Sequence, residues 1–347
     1  MRTIVWEVTV RCNLRCKHCF LYNELESPST EPVHELSTEH CLRVVEQFEE
    51  ANVFQVSILG GEPFCRPDIM VILQHLGEKR FWTTVETNGT LIDRDTARDL
   101  ADTGIKRINV SLEGPDAKIN DAIRGKGSFQ KAVQGIKCLR EFGIPFCIGM
   151  TVNKLNYQEI ERMAVFCSNI GAEFASFGLY DEFPPTPFSA SLSLGREEIL
   201  VAARDVSKIK EDFPKGFISS NINRNLAFFA PGPKTPIKDE RFIRCGLWSK
   251  HLSILSNGNV VPCTYMRNIA LGNIMETHLS EIPELPAFRK FKELLSITVN
   301  EANEKCAACE WKYLCGGGCR GQAYLKYGSI LAPDARKCLL ARGEICD

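Results

Sequence analysis

A chain of 347 residues, 44% hydrophobic and 24% charged, suits a globular protein of one large or two smaller domains. Its formal net charge of −1 gives it little with which to recruit nucleic acid or an anionic membrane. Met1–Val10 is apolar but broken by Arg2 and Glu7, too short for a signal peptide, and no run approaches the ~18 apolar residues of a membrane span. A cytoplasmic location is the expectation. In chain order, strand patterns fall at Thr3–Thr9, Phe54–Leu59, Trp82–Glu86, Arg107–Leu112, Phe146–Val152 and Glu173–Gly178. Helical patterns alternate with them. One opens at Ser37 and Thr38 and runs toward Ala51; others open at Pro67, Asp93, Ser128 and Asn156; a sixth is Leu194–Lys210. Such alternation predicts a parallel sheet, either open and doubly wound or barrel-like.

The pattern changes after about Phe213. "PGPKTP" (Pro231–Pro236) marks a connecting segment. "LSILSNGNVVPC" (Leu252–Cys263) then reads as two short strands around an Asn-Gly turn. From Cys306 the tail is dense in cysteine and glycine, a composition that needs metal to fold.

The 16 cysteines are the outlying feature. In a long chain without an export signal they point to metal or redox chemistry rather than to a disulfide framework. "RCNLRCKHCF" (Arg11–Phe20) sets Cys12, Cys16 and Cys19 directly after the first strand, where α/β folds place active sites. Three thiolates can ligate three irons of a cubane cluster and leave the fourth iron open. The alternative is a zinc knuckle with His18 or a distant residue as fourth ligand, although His18 adjoins Cys19 and is poorly placed to converge on the same ion.

"CNLRCKHC" resembles the Cys-x3-Cys-x2-Cys signature of radical S-adenosylmethionine (radical SAM) enzymes. The resemblance extends over residues 1–215 and implies a partial (β/α)6, TIM-like barrel. "GGEPF" (Gly60–Phe64), "ETNGT" (Glu86–Thr90), "SLEG" (Ser111–Gly114) and "AIRGKGSF" (Ala122–Phe129) follow successive strands in the family's order. It implies that a [4Fe–4S] cluster on Cys12, Cys16 and Cys19 binds S-adenosylmethionine. Gly60, Gly61, Glu62 and Pro63, with Asn88, Ser111 and Arg124, would lie at the cofactor, Arg124 facing its carboxylate. Read as residues alone, the glycine turn, Asn88 and Ser111 equally suit ordinary turn positions, and Arg124 a charge at a surface helix end.

The tail resembles the SPASM extension of a subset of these enzymes. Cys245 and Cys263 are followed by "CAACEWKYLCGGGC", with Cys306, Cys309, Cys315 and Cys319, and Cys338 closes the set. The resemblance implies two auxiliary iron–sulfur clusters, expected as [4Fe–4S], in a cysteine-rich domain of residues 245–347 joined through 216–244. Cys306, Cys309, Cys315 and Cys338 would ligate the distal cluster, and Cys245, Cys263 and Cys319 the nearer one, whose fourth iron would stay open. Two zinc sites are the alternative that spacing leaves standing.

The implied chemistry is reductive cleavage of S-adenosylmethionine, then hydrogen abstraction from substrate. An electron donor such as flavodoxin or ferredoxin would supply the electron. The barrel stretches look most like those of mycofactocin-type peptide maturases, so a ribosomally made peptide is the first expectation for the substrate. With nothing read as a leader-binding domain ahead of the barrel, a separate leader-binding protein is a candidate partner. A small metabolite (sugar, nucleoside or tetrapyrrole) is the second expectation, and a non-enzymatic metal-binding protein the third. Tyr265, two residues beyond Cys263, is a candidate hydrogen-atom relay or simply a packed tyrosine. "GLYDEFPPTPFS" (Gly178–Ser189) reads first as a Pro-rich surface loop and otherwise as part of the substrate side of the barrel.

Overall fold

A computed structural model describes residues 3–26, 35–229, 241–242 and 251–343. Its strands are β1 (Thr3–Glu7), β2 (Gln55–Leu59), β3 (Trp82–Thr87), β4 (Arg107–Ser111), β5 (Phe146–Val152), β6 (Ala175–Leu179), β7 (Ile218–Ser220), β8 (His251–Ile254), β9 (Asn259–Val261) and β10 (Gly272–Asn273). They form one open sheet in the order β10-β9-β8-β1-β2-β3-β4-β5-β6-β7. Pairing is parallel from β8 through β7 and antiparallel at β8–β9 and β9–β10.

The six expected helices appear as Thr38–Glu50, Ile69–Glu78, Arg94–Ala101, Ser128–Glu141, Ile160–Ile170 and Arg196–Asp212. Two are opened by the side chains that marked them in the sequence. The Ser37 hydroxyl accepts the His40 N–H at 3.2 Å and Asp93 accepts that of Thr96 at 2.8 Å, each satisfying a donor that a helix start leaves unpaired. Among the described residues no helix is long and apolar enough to cross a membrane.

Strand alternation decides what the sheet encloses. One face carries Ile4, Trp6, Val56, Ile58, Ile108, Val110, Phe146, Ile148 and Phe177, all in the buried apolar core. The opposite positions are small or polar: Ser57, Glu86, Asn109, Ser111, Cys147, Gly149 and Ser176. A closed TIM barrel fills its interior with branched apolar side chains; this one leaves it open, and that space is the candidate site.

Three features depart from the sequence expectations. The hairpin β8–β9 does not form a separate sheet with the tail, because β8 pairs in parallel with β1, Thr3 opposite His251 and Trp6 opposite Ile254. Within the segment read as a connector, β7 pairs with β6. Ala117–Arg124 is an additional helix, capped by Asp116, which accepts the Ile119 N–H at 3.1 Å. Pro231–Pro236 lies outside the described residues.

Candidate functional site

The loop after β1 and the turn after β2 are built against each other. Gly61 N–H donates to the Thr9 carbonyl at 2.9 Å and Glu62 N–H to that of Arg11 at 2.7 Å. A Cβ on Gly60 would stand 2.3 Å from the Thr9 oxygen, and one on Gly61 2.4 Å from that of Arg11. These glycines are therefore demanded by the approach of the cysteine loop itself. Glu62 is buried and turned back into the protein. Its carboxylate accepts the Thr87 hydroxyl and the Asn88 N–H, each at 2.7 Å, and the Phe64 N–H at 3.2 Å.

These elements frame a cavity of about 440 Å³ lined by Cys12, Cys16, Cys19, Gly60, Gly61, Asn88, Ser111 and Arg124, and also by Glu86, Asp181 and Tyr265. Glu62 and Pro63 do not line it: they brace the wall from behind. Asn88 lines it while donating to Asn13 Oδ1 at 2.9 Å and accepting the Thr90 hydroxyl at 2.6 Å, so it is also a satisfied turn residue. A second space of about 280 Å³, bordered by Glu86, Asn109, Ser111, Cys147, Gly149 and Ser176, shares its walls with the first and extends the lumen. Cys147, read from sequence as a small core residue, faces this lumen and donates its thiol to Asn109 Oδ1 at 2.8 Å.

Arg124 is not a surface charge. It is 8% exposed and binds Glu113 through Nε at 3.1 Å and Nη2 at 2.6 Å, while Nη1 stands 3.9 Å from Cys16 Sγ. Burial raises the Glu113 carboxyl, but the charges and hydrogen bonds of His18 and Arg124 outweigh it and hold it at about 2. Burial, with lesser contributions from Cys19, Cys12 and Glu113, pushes the Cys16 thiol up to about 12 against the pull of Arg124. A thiol in this position is a poor free nucleophile, and coordination to a metal would make it a thiolate.

The donor set fits an iron–sulfur cluster with a ligand beside it. Three cysteines stand at one end of a roomy cavity, and the buried His18 Nδ1 in its wall has no hydrogen-bond partner. Among the described residues no three Cys, His, Asp or Glu side chains converge on a point suited to a single ion.

Tyr265 stands in the wall toward the tail. Its hydroxyl donates to Asp181 Oδ2 at 2.6 Å, and Arg336 Nη1 lies 2.7 Å from Asp181 Oδ1. Burial, the Asp181 carboxylate and the neighbouring Cys319 push this hydroxyl well above the ordinary tyrosine range. The start of the Pro-rich stretch, Gly178 to Asp181, therefore borders the cavity instead of forming a surface loop. Glu113 and Asp181 were not singled out from the sequence. Their partners are remote along the chain, and only a charged residue within a strand-end motif hinted at either.

In the tail, Cys306, Cys309, Cys315 and Cys338 line one small pocket with Asp334 and Lys337, and Cys319 is not among its lining. Gly316, Gly317 and Gly318 all adopt positive φ (57°, 76° and 75°), which turns the chain sharply between Cys315 and Cys319. The Cys319 N–H donates to Asp334 Oδ2 at 2.6 Å. Cys263 is partly buried in the turn that leads to Tyr265; Cys245 lies outside the described residues.

Residues 6–167 match the family model of the radical SAM superfamily, and residues 245–310 that of the SPASM iron–sulfur cluster-binding domain. The chain is 30% identical over 347 residues to an AdoMet-dependent heme synthase of Nitratidesulfovibrio vulgaris, covering 96% of this chain and 91% of that one. It is 34% identical over 170 residues to the mycofactocin maturase of Mycolicibacterium smegmatis, covering 49% and 42% of the two chains. The crystal structure of Streptococcus suis SuiB bound to S-adenosylmethionine has the same fold, with a TM-score of 0.73, 22% identity and coverage of 95% of this chain and 75% of that one.

Proposed function

The chain belongs to the radical SAM superfamily and carries a SPASM domain, and from that premise we propose that it modifies a ribosomally made peptide held in the barrel lumen. It is a radical SAM enzyme; the substrate and the residue roles below are our reading. Cys12, Cys16 and Cys19 would hold the cluster, with Gly60, Gly61, Asn88, Ser111 and Arg124 around S-adenosylmethionine. Bound there, cluster and cofactor would supply one-electron chemistry that lets the enzyme remove a hydrogen atom from substrate. The chain's own residues orient and shield this chemistry. Glu113 fixes Arg124, Glu62 fixes the glycine turn, and the walls of the lumen exclude water. Tyr265, which lines the cavity and is held by Asp181, would serve as the relay of a hydrogen atom or electron. Cys306, Cys309, Cys315 and Cys338 would hold one auxiliary cluster, and Cys245, Cys263 and Cys319 the other. A small one-electron carrier such as flavodoxin or ferredoxin would reduce the first cluster.

The charge of the lumen carries the peptide reading. Among the described lining residues Arg124 is the cation, and it is paired with Glu113. A polycarboxylate substrate would find no spare positive charge there, whereas a neutral or basic side chain fits the small polar walls. End-to-end likeness to an AdoMet-dependent heme synthase favours a second reading, a tetrapyrrole substrate.

The test is anaerobic reconstitution with iron and sulfide, reduction with S-adenosylmethionine present, and quantification of 5′-deoxyadenosine. Product from wild type and none from Cys16→Ala is expected, with turnover stimulated by peptides and not by an iron porphyrin. Stimulation by the porphyrin alone would replace the peptide reading with the second one. No product from iron-loaded protein with either substrate would overturn both.

A further inference from the structure

The Glu113–Arg124 pair has a feature that cofactor binding does not require: the guanidinium is clamped along one edge, by a carboxylate that is itself fixed, before any ligand arrives. Glu113 is fully buried. Its Oε1 takes two N–H groups of Arg124 and stands 3.2 Å from His18 Nε2, and its Oε2 takes the Thr151 N–H at 2.8 Å. Its backbone is fixed as well, the N–H by Asn120 Oδ1 at 2.9 Å and the carbonyl by Asn156 Nδ2 at 3.0 Å. A planar fork held along one edge cannot rotate. The other edge then has one available direction, and it places Nη1 at 3.9 Å from Cys16 Sγ.

The three cysteines are not met alike. Cys12 receives the Leu14 backbone N–H at 3.4 Å and Cys19 faces that of Leu21. Cys16, at 8% exposure the most buried of the three, is met by a full positive charge. A hydrogen bond to a ligating sulfur stabilises the reduced cluster, which carries one more negative charge, and so raises its potential. A charged donor in a poorly solvated site acts more strongly than an amide.

We propose that Glu113 and Arg124 form a potential-setting device, in which Glu113 clamps the guanidinium so that Nη1–H points at the Cys16 sulfur and makes the cluster held there easier to reduce. The device rests on the assignment of Cys12, Cys16 and Cys19 as cluster ligands. Arg124 acts on the ligand sulfur and Glu113 acts through Arg124, so Glu113 is a positioning residue.

The experiment is a redox titration of the reconstituted full-length protein, followed by electron paramagnetic resonance. It is run without S-adenosylmethionine, so that no cofactor carboxylate competes for Arg124. The signal of the first cluster is isolated by subtracting that of a Cys12→Ala/Cys16→Ala/Cys19→Ala variant. Arg124→Gln is expected to shift the reduction equilibrium at least tenfold against the reduced form, about 59 mV for one electron. Arg124→Lys keeps the charge but cannot span Glu113 and Cys16, and should shift it in the same direction by less. Arg43→Gln, on the exposed face of the Thr38–Glu50 helix and paired with Glu39, should leave it unchanged. A reduction equilibrium shifted less than tenfold from wild type in a loaded Arg124→Gln protein would overturn the proposal. Should Arg124→Gln fail to load, an unshifted Arg124→Lys overturns it equally. A wild-type signal unchanged by loss of all three cysteines would instead remove the cluster assignment, and the device with it.

Discussion

The residues that matter most at the site are those with no room to change. On Gly61 a Cβ would meet two backbone oxygens, at 2.4 and 2.5 Å, and neither can move without displacing the cysteine loop. Gly61→Ala is expected to destabilise the protein by about 1–3 kcal/mol and to lower iron retention after reconstitution; thermal unfolding and iron analysis check it. Glu113 makes a prediction of another kind. Its folded-state carboxyl lies below the unfolded value of ~4.3, so its ionised form contributes stability that is complete above that value. That stability is lost as pH falls from there through about 2. Glu113→Gln should flatten the acid limb of the urea-midpoint profile below pH ~4.5 while costing stability at neutral pH. The cysteines and glycines were legible in the sequence because their spacing is local. Glu113 was not, because its meaning comes from residues 18, 124 and 151, which only the fold assembles. Asp181 was obscured by the prolines that follow it, which read as a surface loop.

At the scale of elements, the strands were legible almost to the residue where apolar and polar positions alternate; Phe146–Val152 coincides with β5. What escaped was short. Ile218–Ser220 has three residues, two of them serine, too few to display a period. The Ala117–Arg124 helix has only Ile119, Ala122 and Ile123 as apolar positions beyond its first residue, although the Asp116 cap and Gly125, with its φ of 103°, mark both ends. The partner of β8 was illegible in principle, because a parallel pair carries no turn to announce it. Placed between β1 and β9, β8 is an interior strand, where proline is not tolerated. Ser253→Pro should cost at least ~2 kcal/mol through an orphaned ladder partner, and it should perturb β1 as well as the hairpin. Hydrogen exchange at Thr3–Glu7 would show this, and unchanged protection there would contradict the pairing.

Across the whole molecule, barrel and tail are joined by buried charge. Glu7 on β1 is fully buried against Arg267, and Asp181 at the end of β6 meets Arg336 and Tyr265. These contacts are made by the polypeptide, whereas residues 306–343 supply few side chains to the buried apolar core, Trp311, Ile330 and Leu340 among them, and are expected to depend on metal. Removing iron with a chelator should therefore open residues 306–343 to protease while the helices over β2–β6 stay protected. Limited proteolysis with mass mapping reads this out; equal cleavage throughout would show that the metal supports the barrel too. The same joint has a consequence for synthesis. Residues 3–6 acquire their β8 neighbours only when residues 251–254 emerge, on the order of ten to fifty seconds later at ribosomal speeds. Until then one side of the first strand is a bare template for mispairing, so yield in the cell should depend on how fast the ribosome reaches the hairpin as well as on how stable the finished protein is.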